Sequence, residues 1–316
     1  MPDSNAPAGH RRAGVLFRKA SATAHPAEQA SAHNGAMHTR TFEANGQRLE
    51  AIVDGPDDGD LVILLHGFPE SGDAWHRQVP ALAGAGLHVM APHQRGYAGS
   101  SKPATVFDYR LGLLALDVVG LADAAGASRF SVVGHDWGAV VAWHLATTQA
   151  ARLKRVVVLN GPHPGTVGMH AMRHPTQFLR SWYIGAFQIP VVPELLLRAG
   201  GHAWLRRAME DSARPGALPQ DLLQRYQAQW VQPGALTAML NWYRALAFDP
   251  PTPARPIDLP VTILWGEQDR FLDRGLADAA LALCRQGELV PFPNATHWLH
   301  HEEPDEVNRQ LLKALA

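Results

Sequence analysis

Cysteine is nearly absent from this chain: Cys284 stands alone among 316 residues. A single thiol excludes an intramolecular disulfide and fits a reducing compartment, so a cytoplasmic location is expected. Cys284 makes a poor nucleophile, because LALCRQG reads as a helix end with no motif around it; a structural role is the better reading. An excess of charge of either sign is missing too. The 28 Lys and Arg offset 29 Asp and Glu to a formal net charge of -1, which removes any electrostatic pull toward nucleic acid or an anionic membrane. No apolar stretch approaches the roughly 20 residues needed to span a bilayer. What is present is a hydrophobic fraction of 46% with 18% charged residues, the balance of a globular enzyme with a substantial core. The length suits one large α/β domain, or a core domain carrying an insertion.

Composition changes along the chain. Residues 1–36 are rich in Ala, Ser, Pro and His and poor in large apolar side chains, so they are expected to form a disordered extension. Basic residues stand near its front, but no apolar run follows, so it does not read as a secretory signal. Met37 opens a segment that reads as folded and is an alternative start of translation. From there TRTFEANGQRLEAIVDG alternates around Asn45-Gly46, the dipeptide of a two-residue hairpin turn. LVILLHG at 61–67 is a continuous apolar run, as a strand buried on both faces requires. LHVMAPH, FSVVGHD, RVVVLNG, VTILWGE and ELVPFPN repeat it, with helix-length segments mostly between them. This alternation predicts a mostly parallel sheet with helices on both faces. One interval breaks it: 163–257 has helical patterns such as PELLLRAGGHAWLRRAME and PQDLLQRYQAQWV but no convincing strand. It is expected to be a helical cap inserted into a core made of 37–162 and 258–316, with the Pro-rich DPPTPARPIDLP as the return linker.

Motifs fall at the carboxyl ends of the expected strands, where open α/β sheets place their sites. SVVGHDWGAVVAW carries a strand into Gly134-His135-Asp136-Trp137-Gly138-Ala139 and then a helix. This is the shape of a nucleophile elbow with aspartate at its centre. A carboxylate at a helix N-terminus is favoured in its ionised form and can attack carbon to form an ester. The bland alternative is an ordinary helix cap. HGFPES follows the first buried strand, so the backbone N–H groups of Phe68 and Trp137 can face a developing oxyanion. After the last strand, PFPNATHWLHHEE offers His297 as the base that activates water, with His300 and His301 as competitors where the terminal helix begins. WGEQDRFLD offers Asp269 as the carboxylate behind the imidazole, with Asp273 and Glu267 as fallbacks. The order Asp136, Asp269, His297 is nucleophile, acid, base. The neighbouring histidines in HWLHHEE follow a loop running into a helix, so no metal set is expected. No Gly-rich nucleotide loop is present, so no cofactor is expected either.

Taken together, HGFPES, QRGYAGSSKP, GHDWGA, WGEQD and NATHW resemble the epoxide hydrolase branch of the α/β-hydrolase superfamily, over residue 39 to the end of the sequence. The resemblance implies two cap tyrosines that hydrogen-bond and protonate the epoxide oxygen. SWYIGAFQIP offers Tyr183 and NWYRAL offers Tyr243, two of only five tyrosines, with Tyr226 as the fallback and Tyr97 read as structural. A phenol O–H can donate to the alkoxide formed on ring opening. Phe68, Trp137, Trp182, Phe187 and Trp242 are expected to line a site for a small apolar epoxide and water. The nearest rival is a dehalogenase with the same Asp nucleophile. It would need N–H donors for a halide, and its relatives typically show Asn at the Phe68 position or Arg at the Trp137 position. A non-catalytic binding protein on the same fold would be expected to have lost part of the triad. A homodimer is left open.

Overall fold

The structure, a computed structural model, describes residues 38–316. The extension expected at 1–36 and the alternative start at Met37 lie outside the described residues. A hairpin comes first: β1 (His38–Ala44) and β2 (Gln47–Asp54) pair antiparallel, Ala44 opposite Gln47. Asn45 and Gly46 both have positive φ, 50° and 71°, as the expected two-residue turn demands. The buried strands follow: β3 (Leu61–Leu65), β4 (His88–Pro92), β5 (Phe130–His135), β6 (Leu153–Leu159), β7 (Ile257–Gly266) and β8 (Cys284–Phe292). Their order in the sheet is β1-β2-β4-β3-β5-β6-β7-β8, parallel from β4 onward. This is the expected α/β-hydrolase architecture.

Helices α1 (Gln78–Gly84), α2 (Leu111–Ala124) and α3 (Trp137–Thr148) precede β6. Between β6 and β7 stand α4 (Pro164–Arg173), α5 (Pro175–Arg180), α6 (Trp182–Phe187), α7 (Val192–Arg198), α8 (Ala203–Ser212), α9 (Gln220–Trp230) and α10 (Ala235–Ala245), with no strand among them. The stretch 193–210, one helical pattern in the sequence, is broken into α7 and α8 at Gly200-Gly201, both at positive φ. After β7 come α11 (Gly275–Leu281), α12 (Leu299–Glu302) and α13 (Pro304–Leu315).

Alternation along β3 shows how the sheet is sandwiched. Ile63 and Leu65 belong to the core shared with α2, α3 and α11, whereas Val62 and Leu64 belong to the core shared with α1 and α13. Successive strand side chains point to opposite faces, so a continuous apolar run serves two cores at once. Each such buried aliphatic side chain contributes about 1.5–3 kcal/mol.

Two local expectations are corrected. Cys284 does not end a helix: α11 stops at Leu281, and Cys284 opens β8. Burial pushes its thiol up to about 11, which suits an inert residue. The Pro-rich return linker ends earlier than expected, because β7 starts at Ile257. Pro260 is tolerated there because β6 pairs with β7 only from Val261 onward, and the β7–β8 register shifts between Ile257 and Pro260.

Candidate active site

The chain order splits at β3, which has β4 on one side and β5 on the other. Ligands collect outside the carboxyl ends of strands at such a switch point. The loops after β3 and β5 carry Phe68 and Asp136. Asp136 has φ 51° and ψ -116°, a strained conformation for a residue with a side chain. The turn is possible because its surroundings are small. A Cβ on Gly138 would lie 2.1 Å from the Leu65 carbonyl oxygen, and one on Gly67 would lie 2.4 Å from the Asp136 Cβ. Although Asp136 stands at the N-cap of α3, its carboxylate makes no capping bond to that helix. Its Oδ1 instead accepts the Phe68 backbone N–H at 2.8 Å. That disposes of the helix-cap reading: the side chain is turned away from its own helix and into a cavity.

His297, in the loop between β8 and α12, completes the centre. Its Nε2 lies 3.7 Å from Asp136 Oδ2, and its Nδ1 lies 2.7 Å from Asp269 Oδ2. Asp269, after β7, is held by four donors. Beside the imidazole these are the Asn160 amide at 2.6 Å and the Phe271 and Leu272 N–H groups at 2.7 and 3.0 Å. Burial alone would raise Asp269, but the His297 ring and these donors outweigh it and hold the carboxylate below its ordinary range. Burial likewise pushes His297 down, yet Asp269 first, and Asp136 after it, lift it to about 9. The fallbacks are engaged elsewhere: Asp273 with His170, Glu267 with Arg274, and His301 with Glu70.

A cavity of about 530 Å³ opens over this centre, within the range of small-molecule sites. Asp136, His297, Tyr183, Tyr243, Phe68 and Phe187 all line it, as does Trp182, which is 64% exposed and stands at the rim. The two phenol rings are 6.0 Å apart. Burial raises both phenols above their ordinary value. For Tyr183 the Asp136 charge adds to this; for Tyr243 the neighbouring Tyr183 and then Asp136 do, while a hydrogen bond from Trp137 works the other way. Both therefore carry their protons at neutral pH.

Two expected lining residues are misplaced. Trp242 is buried beneath the cavity, donating its indole N–H to the Arg95 carbonyl at 2.9 Å and packing on Tyr97. Consecutive helical residues project about 100° apart, so α10 can aim only one of Trp242 and Tyr243 upward. Trp137 is not among the lining side chains either; its indole packs edge-on against Tyr243 and Trp242. Tyr226, the fallback phenol, faces Glu70 and does not reach the cavity. Sequence reasoning missed the opposite wall, where α8 supplies Leu205, Met209 and Ser212, and it missed Trp298, whose indole donates to Ser212 at 2.9 Å. It also missed Asn160, which bonds Asp269 and accepts the Gly266 N–H at 2.7 Å. A polar residue ending the apolar strand VVVLN was the available signal for Asn160; α8 offered none.

Comparison with known proteins agrees with this fold. A family model described as the alpha/beta hydrolase fold matches residues 60–304. The chain is 41% identical to the AB hydrolase superfamily protein YfhM of Bacillus subtilis, over 86% of this chain and 95% of that one. It is 32% identical to Epoxide hydrolase 3 of Xenopus tropicalis, over 93% of this chain and 81% of that one. Among solved structures, an epoxide hydrolase from metagenomes of hot environments superposes with a TM-score of 0.80 at 30% identity, covering 89% of this chain and 99% of its own.

Proposed function

The chain belongs to the epoxide hydrolase branch of the α/β-hydrolase superfamily, and from that premise we propose that it hydrolyses an apolar epoxide to a vicinal diol through an ester on Asp136. The observation that carries the proposal is the pair of protonated phenols, Tyr183 and Tyr243, sharing one cavity with the Asp136 carboxylate and His297. Asp136 Oδ1 is already held by the Phe68 N–H, so Oδ2 is the nucleophilic oxygen. It attacks the less hindered epoxide carbon while the phenols donate to the oxygen that leaves that carbon. Ester formation removes the Asp136 charge. His297, oriented through Nδ1 by Asp269, then takes a proton from water at Nε2 as that water attacks the ester carbonyl. The resulting oxyanion on Oδ1 is stabilised by the Phe68 N–H and by that of Trp137, which opens α3 and has no partner within its own helix. Collapse of the intermediate releases the diol. Residues 163–256 serve as the cap that brings the phenols and the apolar wall over the nucleophile.

Haloalkane cleavage is the weaker reading. A departing halide needs free N–H donors in the cavity, but the Trp137 indole is engaged by the Tyr243 phenol and the Trp298 indole by Ser212. The test is a single turnover of styrene oxide in ¹⁸O-water. The label is expected in Asp136 and not in the diol. Label appearing directly in the diol refutes the ester, and turnover of a chloroalkane in preference to the epoxide refutes the substrate class.

A further inference from the structure

Behind the triad lies a second cluster that the hydrolytic chemistry does not use. Glu70, in the loop after β3, is buried together with His135, His300 and His301. One of its oxygens, Oε1, meets His301 Nε2 at 2.7 Å and accepts the Tyr226 hydroxyl at 3.1 Å. The other, Oε2, faces His135 Nδ1 at 3.2 Å and His300 Nε2 at 3.5 Å. None of those three facing atoms has a partner in hydrogen-bond geometry, and all are shut off from solvent. Buried polar atoms in that state cost free energy unless something satisfies them.

The tautomers sharpen the problem. His135 Nε2 lies 2.9 Å from the His297 carbonyl oxygen, so it carries the ring proton. In the neutral ring Nδ1 is then a bare lone pair aimed at a carboxylate oxygen. Two acceptors at that distance repel unless a proton or a metal cation stands between them. His300 has neither ring nitrogen engaged, so it too holds a free lone pair next to Glu70. The ion partners of Glu70 are histidines alone; no Lys or Arg stands against it among the described residues.

A metal ion answers each of these demands. Metal-binding histidines ordinarily give their other N–H to a backbone carbonyl, as His135 does here. Bonds of about 2.0–2.1 Å in a tetrahedral zinc site put ligand atoms about 3.3 Å apart, and the 3.2 and 3.5 Å separations bracket that value. The donor atoms of Glu70, His300 and His301 all lie within 4.8 Å of one another, so a small side-chain rotation gathers them on one ion. His301 also borders a separate cavity of about 340 Å³ with His76, Arg214 and Glu302.

We propose that Glu70, His300 and His301, with His135 facing the same carboxylate from behind, bind one first-row divalent cation, Zn²⁺ by preference. Imidazole and carboxylate donors without sulfur suit that class. Such an ion ties the loop that carries the Phe68 N–H to the start of α12, just past His297, and so fixes two parts of the hydrolytic centre from behind. Spacing in HWLHHEE gave no sign of a metal set because Glu70 stands 231 residues from His301 in the chain.

The test uses the full chain, stripped with EDTA and then given Zn²⁺ alone, with bound metal counted after desalting. One tightly held ion per chain is expected, together with a higher thermal midpoint. In His300→Gln and Glu70→Gln the affinity should fall by more than about a hundredfold, beyond what loss of an outer partner causes, and the thermal shift should vanish. No stoichiometric ion on the unaltered chain overturns the proposal. So does an ion that both variants retain, since it then sits on other histidines. Where the variants fail to fold, Co²⁺ on the unaltered chain decides: strong visible bands of a tetrahedral site are expected, and the weak bands of an octahedral one refute it.

Discussion

Asp269→Asn separates the two chemical steps most cleanly. The side chain keeps its shape, and its oxygen can still accept the Phe271 and Leu272 N–H groups now bonded at 2.7 and 3.0 Å. Two things are lost. One is the negative charge beside the imidazole, whose Nδ1 lies 2.7 Å from the carboxylate. With charge centres about 4 Å apart and an effective dielectric near 20, that attraction is about 4 kcal/mol, or about 10³-fold in rate. The other is the tautomer. An amide N–H turned toward Nδ1 leaves the proton on Nε2, so His297 faces the water as a donor and cannot accept from it. The Asn160 amide, now 2.6 Å from the carboxylate, would also meet a donor. The same change in a serine protease triad costs about 10⁴-fold, so ester hydrolysis here should slow by about 10³–10⁴-fold. Formation of the ester uses Asp136 and the phenols and should change far less. Rapid-quench mass spectrometry of the variant with styrene oxide should therefore find the chain carrying one substrate mass, persisting for minutes. If hydrolysis slows less than about tenfold, or ester formation slows equally, Asp269 does not orient the base.

Three shorter predictions follow from the same geometry. In Tyr243→Phe the alkoxide loses one of two donors, and kcat/KM for the epoxide should fall about 10–100-fold, the lower end of acid-catalytic effects because Tyr183 remains; unchanged turnover removes Tyr243 from the reaction. Trp242→Phe leaves the Arg95 carbonyl unpaired and a gap beneath the floor, so it should lower stability by about 2–4 kcal/mol while leaving KM within about twofold. A large KM change with intact stability would put that indole in the cavity after all. The pH dependence should differ between steps. His297 sits at about 9 in the free enzyme partly because of the Asp136 charge, which the ester abolishes, so its value falls once the ester forms. The base must be neutral, so ester hydrolysis is full above that lowered value and is lost as pH falls through it. The ester should accumulate in acid, and hydrolysis that is flat across acid pH contradicts a His297 base.

The sequence alone determined the frame of this protein and singled out the groups proposed to react. Buried strands declared themselves because a strand serving two cores must be apolar throughout, as 61–65 is. Asp136, Asp269 and His297 were legible because each follows a strand, and sheets of this kind gather their strand ends at one edge. The side on which a residue faces was a different matter. Adjacent residues Trp242 and Tyr243 look alike in a motif, yet helix geometry sends one into the core and the other into the cavity. The wall supplied by α8 left no mark in the sequence, because an apolar residue lining a cavity and one filling a core are chemically the same. Asn160 and Glu70 acquired their neighbours only when strands and loops far apart in the chain were brought side by side. Local sequence fixes what a residue can do; packing between distant segments decides what it meets.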